Sequence, residues 1–162
     1  KPPEKLAPKP APPSHPSRIW VQIGVGRDKS ALAIDWRKYL RQTAALKGRI
    51  RASKAQKLAW HPPCSLQHGQ QLRGGVERHL AAFGFSVRVA GNESHLCCGS
   101  AGTYSVLNPD LSHQLRDRKL GHLGALQPEV IVSANIGCIT HLQSGTATPV
   151  RHWIEVLDEH LR

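Results

Sequence analysis

From residue 57 to residue 162 the sequence predicts an α/β fold, a parallel sheet with alternating helices in the order β-α-β-α-β-α-β-α. Three observations carry this. Apolar runs of strand length recur regularly, separated by longer stretches with a helical period. One run, 129–134 ("EVIVSA"), is nearly continuous in apolar residues, as strands buried on both faces are. Alternation of strand and helix implies right-handed crossovers, which lay helices on both faces of a parallel sheet.

The elements follow in order. "KLAW" (57–60) is a short strand, and "HPPCSLQHG" (61–69) a loop carrying Cys64. Residues 70–84 form a helix with Leu72, Val76, Leu80 and Phe83 on one face, weakened by Gly74 and Gly75. "FSVRVA" (85–90) is a strand, and 91–102 a loop with Cys97 and Cys98. A helix starts at Pro109, at home in a first turn, with Leu111, Leu115, Leu120 and Leu123 facing inward. The strand at 129–134 leads through "NIGCITHLQSG" (135–145), a loop running into a short helix, to a last strand at 148–153 and a closing helix at 154–161.

The first third differs. Residues 1–17 hold seven prolines and read as an extended, disordered linker. Residues 18–24 alternate like a strand and 28–42 have a helical period, so 18–56 is an incomplete β-α piece. The charge divides at the same place. Residues 1–56 carry 13 Lys/Arg against three Asp/Glu, whereas 57–162 carry nine against eight. A basic character confined to a proline-interleaved tail argues against a nucleic-acid partner. No apolar run is long enough for a membrane span, and no signal-peptide pattern opens the chain. The sequence contains no methionine even at position 1, which reads as a fragment.

Four cysteines allow two disulfides, but a domain with an ordinary hydrophobic core needs no staples. Cys64 follows the first strand of 57–162, Cys97 and Cys98 the second, and Cys138 the third, while His152 ends the fourth. In such sheets ligands sit beyond the carboxyl ends of the strands, so these positions should meet on one rim. Four thiolates there repel one another unless a cation lies among them. Cys64, Cys97, Cys98 and Cys138 are therefore candidate metal ligands, with His141 a fifth at the C-x-x-H spacing from Cys138. A helix beginning at Cys138 favours its thiolate, and Gly99 and Gly102 let backbone N–H groups approach sulfur.

His61 and His68 flank Cys64 and are expected to support the ligands from behind, as is Gly99. His79, His113, His122 and His160 fall on helices at exposed or edge positions and receive no role; no acid–base pair stands beside Ser100, so no catalytic residue is assigned. Three readings of the cysteines stay open: an iron–sulfur cluster, a tetrahedral zinc site, and packing as small apolar side chains.

The stretches "HPPCSLQHGQQLRG", "HLCCGSAGTYSVLNPDLS", "ANIGCITHLQS" and "TPVRHWIEVLDEHL" resemble the C-terminal cysteine-rich CCG domain of glycolate oxidase (glycolate dehydrogenase) iron–sulfur subunits, shared with heterodisulfide reductase subunits and lactate-utilisation proteins. The family pattern is Cys, a long spacer, Cys-Cys-Gly, a second long spacer, and Cys-x-x-Cys. Here 32 residues separate Cys64 from Cys97, 39 separate Cys98 from Cys138, and His141 stands where the last cysteine would be. The resemblance implies a 4Fe-4S type iron–sulfur cluster; with His141 in place of the last cysteine, a normal cluster, a variant one, zinc and no metal all stay open. It also implies flavin-containing glycolate oxidase subunits as partners, oxidising glycolate to glyoxylate, with electrons passing toward a quinone-type acceptor. The implied location is the cytoplasm or the cytoplasmic face of the inner membrane, and the chain by itself is expected to be inactive. Residues 18–50 resemble the start of a SPOR domain, whose implied partner is peptidoglycan in the cell envelope. Two such modules work on opposite sides of a membrane, which points to an artificial junction near residue 56.

Overall fold

The structure is a computed structural model and describes residues 56–160. The Pro-rich linker and the SPOR-like piece lie outside the described residues. Four strands, β1 (Lys57–Trp60), β2 (Ser86–Val89), β3 (Val130–Ser133) and β4 (Val150–His152), form one sheet in the order β2-β1-β3-β4. All three pairings are parallel, with Leu58 opposite both Val87 and Val130, and Val132 opposite Arg151. The chain is thus an α/β protein, as the alternating pattern predicts.

The helices are α1 (Gly75–Ala82), α2 (Tyr104–Leu107), α3 (Pro109–Gly124), α4 (Ile136–Gln143) and α5 (Trp153–Asp158), and a π-helical turn spans Ser65–Gly69. Strand alternation divides the core in two. Leu58, Trp60, Val130 and Val132 point to one face, where Val76 and Leu80 of α1 and Trp153, Val156 and Leu157 of α5 cover them. Ala59 and Ile131 point to the other, under Leu123 of α3 and Cys138 and Leu142 of α4. The chain turns one way from β1 to β2 and then crosses back past β1 to β3. With right-handed crossovers, that reversal puts α1 on one face and α3 and α4 on the other, and makes β1/β3 the topological switch point.

Several local expectations are corrected. The helix expected from residue 70 begins at Gly75, because Gly74 adopts a left-handed φ of 70° that a continuing helix cannot contain. Residues 61–69, read as plain loop, hold the π-helical turn, and the short helix α2 was not foreseen. On α3 the leucine row faces inward only in part: Leu123 is buried and Leu120 packs against the core. Leu111 is exposed, while Ser112 and Lys119 are buried with Leu123. Those three share a helical face (i, i+7, i+11), and the two polar members are drawn in by hydrogen bonds to the loop carrying the cysteine pair. His79, expected at an exposed or edge position, is buried edge-on against Phe83 and Trp153. Among the described residues, no helix is long and apolar enough to cross a membrane.

Candidate metal centre

The site is built at the carboxyl ends of β1, β2 and β3, which are neighbours in the sheet. β1 ends at Trp60, and His61 continues it: its N–H donates to the Val132 carbonyl at 2.8 Å, and its own carbonyl accepts from Ser133 Oγ at 3.0 Å. Cys64 opens the π-helical turn just beyond. β3 ends at Ser133, and Asn135 caps α4 by accepting the Cys138 N–H at 3.1 Å. Cys138 is therefore held in the first turn of α4, where the helix dipole favours a thiolate.

The Cys97–Cys98 pair arrives on the long loop after β2, fastened to α3 at two points. Near its start, the Glu93 carboxylate pairs with Arg118 and with His122 (3.0 Å), and the Glu93 carbonyl accepts from Lys119 Nζ. The Arg118 guanidinium holds the Glu93 carboxyl below the usual carboxylate range. Near its end, Ser112 Oγ donates to the Gly99 carbonyl at 2.9 Å. Gly99 has φ +96°, and a Cβ there would collide with the Ser112 carbonyl. Only glycine lets the turn lie this close to α3 while its N–H points at Cys97 Sγ, 3.3 Å away.

The four thiols share one end of the sheet. The sulfurs of Cys98 and Cys138 stand within 4.8 Å of each other, and Cys64, Cys97 and Cys98 act on one another's protons in sequence. Ser100 Oγ sits between Cys98 and Cys138, accepting from Cys98 Sγ at 3.5 Å and donating to Cys138 Sγ at 3.9 Å. All four cysteines are free thiols. Their protons are unequally held. Cys97 is pushed far up by the hydrogen bond it makes to Cys98 and by burial. Burial, then the neighbouring Cys97, raises Cys64. Cys138 is held down by hydrogen bonds from Cys98 and Ser100, against its burial. A thiolate thus forms most readily at the helix end, the form in which cysteine binds metal.

The flanking residues behave differently from one another. His61 is within the group itself: a ring nitrogen and the sulfurs of Cys98 and Cys138 all lie within 4.8 Å of one another. His68 is exposed and meets the His95 carbonyl at 2.9 Å, tying the first cysteine loop to the second from outside. His141 stands behind the Gly99 turn, with Nε2 3.2 Å from Ser112 Oγ and 3.3 Å from the Ser112 carbonyl.

Three contributors escape a reading by cysteine and histidine. Buried Gln67 donates to the Pro62 and Ser94 carbonyls, both at 3.2 Å, joining the two loops. Ser112 braces Gly99. Lys119, 3% exposed, feels the Cys64, Cys98 and Cys97 thiols, whose negative forms favour its charge against the burial that lowers its pKa. A lysine on a helix ordinarily reads as surface, and only the spacing from Leu123 hints at its inward position.

The donor set suits a thiophilic metal: four thiols, one imidazole, a buried ammonium to offset thiolate charge, and a backbone N–H on sulfur. The fit does not rest on composition alone, because both His61 ring nitrogens are buried without a hydrogen-bond partner among the described residues.

Residues 58–143 match the cysteine-rich domain family, CCG. The chain is 51% identical over 135 residues to the glycolate oxidase iron-sulfur subunit of Escherichia coli (strain K12), covering 83% of this chain and 32% of that protein. It is 33% identical over 114 residues to lactate utilization protein A of Shouchella clausii, covering 64% of this chain and 45% of that protein. With lactate utilization protein A of Oceanobacillus iheyensis the identity is 24% over 109 residues, covering 64% and 45%. The chain spans about a third of the first relative and under half of the other two. The 135 residues of the first match exceed the 106 from 57 to 162, so that similarity reaches upstream of residue 57.

Proposed function

The chain belongs to the cysteine-rich domain family, and from that premise we propose that it is the cluster-holding domain of an iron–sulfur redox subunit of the glycolate oxidase type. The carrying observation is the gathering of four free thiols beyond the ends of three adjacent strands, with the Cys98 and Cys138 sulfurs and a His61 ring nitrogen all within 4.8 Å of one another. Cys64, Cys97, Cys98 and Cys138 would hold a 4Fe-4S type cluster, which supplies one-electron transfer when bound. The remaining residues prepare for its charge. Lys119 offsets thiolate charge, the Gly99 N–H donates to sulfur, and the α4 N-terminus favours the Cys138 thiolate.

The partners we infer are flavin-containing glycolate oxidase subunits at the cytoplasmic face of the membrane, which pass electrons through this domain toward a quinone-type acceptor. The exposed apolar side chains in the segments around the cysteines, Val106, Leu107, Leu111 and Ile136, support a docking role for this end of the sheet.

Analysis of iron and acid-labile sulfide, with electron paramagnetic resonance on the anaerobically prepared chain, tests the proposal. The expected result is about four iron atoms per chain and broad visible absorption. A colourless, iron-free product from cells with intact cluster assembly sinks it. Zinc without labile sulfide would establish the second reading, a closed tetrahedral site, which the close approach of the Cys98 and Cys138 sulfurs favours.

A further inference from the structure

We propose that His61 is itself a metal ligand, acting with Cys98 and Cys138, and that His141 is a positioning residue for the Gly99 turn. The inference rests on the metal-site reading above and adds to it a ligand that the cysteine pattern does not contain. His61 is 1% exposed, and neither Nδ1 nor Nε2 has a hydrogen-bond partner among the described residues. Neutral imidazole carries one donor and one acceptor, and leaving both buried and unsatisfied forfeits the hydration of each. Folded proteins seldom accept that cost without a reason.

The ring did not come to rest here for its own polar contacts. Both backbone groups of His61 are tied to β3, through Val132 and Ser133, so the end of β1 delivers the side chain to the switch point of the sheet. There it meets Cys98 and Cys138, all three ligand atoms lying within 4.8 Å of one another. Ligands on one ion stand about 3.5–4 Å apart when metal–nitrogen and metal–sulfur bonds are about 2.0 and 2.3 Å. A small contraction brings the trio to that spacing, and a metal ion supplies the partner that one ring nitrogen lacks.

His141 is in the opposite condition. Its Nε2 is already engaged by Ser112, its ring stacks on His113 at 6.1 Å between centroids, and the Gly99 turn presses against it. To coordinate through Nε2, it would have to give up its contacts with Ser112, the residue that braces the Gly99 turn.

Cobalt(II), added anaerobically to the full reduced chain, is the probe. With wild-type protein it should give thiolate-to-cobalt charge-transfer bands and, by proton NMR, a paramagnetically shifted, solvent-exchangeable imidazole N–H resonance. His141→Gln should keep that resonance. His61→Gln should lose it and bind cobalt at least about 10-fold more weakly, the lower end of what losing even an outer partner of a metal ligand costs. Cobalt bound by wild type with no shifted ring proton overturns the inference and leaves the four-thiol site standing. So does a resonance that survives His61→Gln and vanishes in His141→Gln. Absence of cobalt binding to wild type removes the metal-site reading itself. Should His61→Gln fail to fold, the wild-type and His141→Gln spectra decide, since loss of the resonance in His141→Gln contradicts the proposal and its retention supports it.

Discussion

Gly99 concentrates more constraints than any other position near the sulfurs. Its φ of +96° disfavours every side chain, its N–H donates to Cys97, and its carbonyl accepts from Ser112. Gly99→Ala therefore adds backbone strain of about 1–3 kcal/mol and a collision with the Ser112 carbonyl. The turn relieves both by moving off α3, which carries Cys97 and Cys98 with it. We expect a lower urea midpoint and a metal content well below that of wild type. Equal metal content in the two proteins would show that the turn is not what places the cysteine pair. The thiols themselves were legible from sequence because each follows a strand. The place of the His61 ring beside Cys98 and Cys138 was not, since nothing in "WHPPC" says that β1 and β3 will pin its backbone and leave its ring unpartnered. Lys119 and Ser112 were hidden for a related reason. Inward positions are found by hydrophobicity, and these two are held inward by hydrogen bonds to a loop distant in sequence.

Among the elements, the strands were readable because each is short and bounded by turn residues, and β3 is apolar and buried along its whole length. Helix limits were harder. The start of α1 depends on a left-handed Gly74, and the last strand gives way to helix at Trp153 because His152 caps it. His152 Nδ1 accepts the Ile154 N–H at 3.3 Å, and Glu155 Oε2 accepts the His152 N–H at 3.2 Å, a reciprocal box at the start of α5. The cap makes a pH prediction. Only the unprotonated nitrogen can accept, and burial holds the His152 pKa below 6.5, its ordinary value. A folded-state pKa lowered from the unfolded one gives stability that is present above about pH 6.5 and is lost as pH falls through the folded value. Asn also caps well and does not titrate here. Relative to His152→Asn, wild type should lose somewhat less than about 1 kcal/mol between neutral pH and pH 5, solvent screening at this half-buried site reducing the full cap contribution. Urea denaturation of both proteins across that range measures it. Parallel pH profiles would remove the cap from the account.

At the scale of the whole molecule, the two faces of the sheet share the proposed metal site unequally. The face under α1 and α5 is closed by Trp60, Trp153, Leu58, Leu80 and Val132 without any site residue. The face under α3 and α4 includes two of the sulfurs, those of Cys98 and Cys138, among its buried members. A metal bound there links three loops that the sheet alone brings together, and its loss should loosen the second face while the first holds the sheet. Ligand present at a thousand times its dissociation constant stabilises a fold by about 4 kcal/mol, which for a domain of this size is a melting shift on the order of 10–20 °C. We therefore expect chelation to lower the melting temperature by that much yet leave a cooperative transition. Hydrogen exchange should localise the change. Amides of the 91–102 loop, α3 and α4 lose protection, whereas those of β1 and β3, paired along Leu58–Trp60 and Val130–Val132, keep theirs. Uniform loss of protection on chelation would mean that the metal organises the fold, as in small zinc domains. No loss in α3 and α4 would mean that the sulfurs are only packing, and with that the case for an electron-carrying site at this end of the sheet would fall.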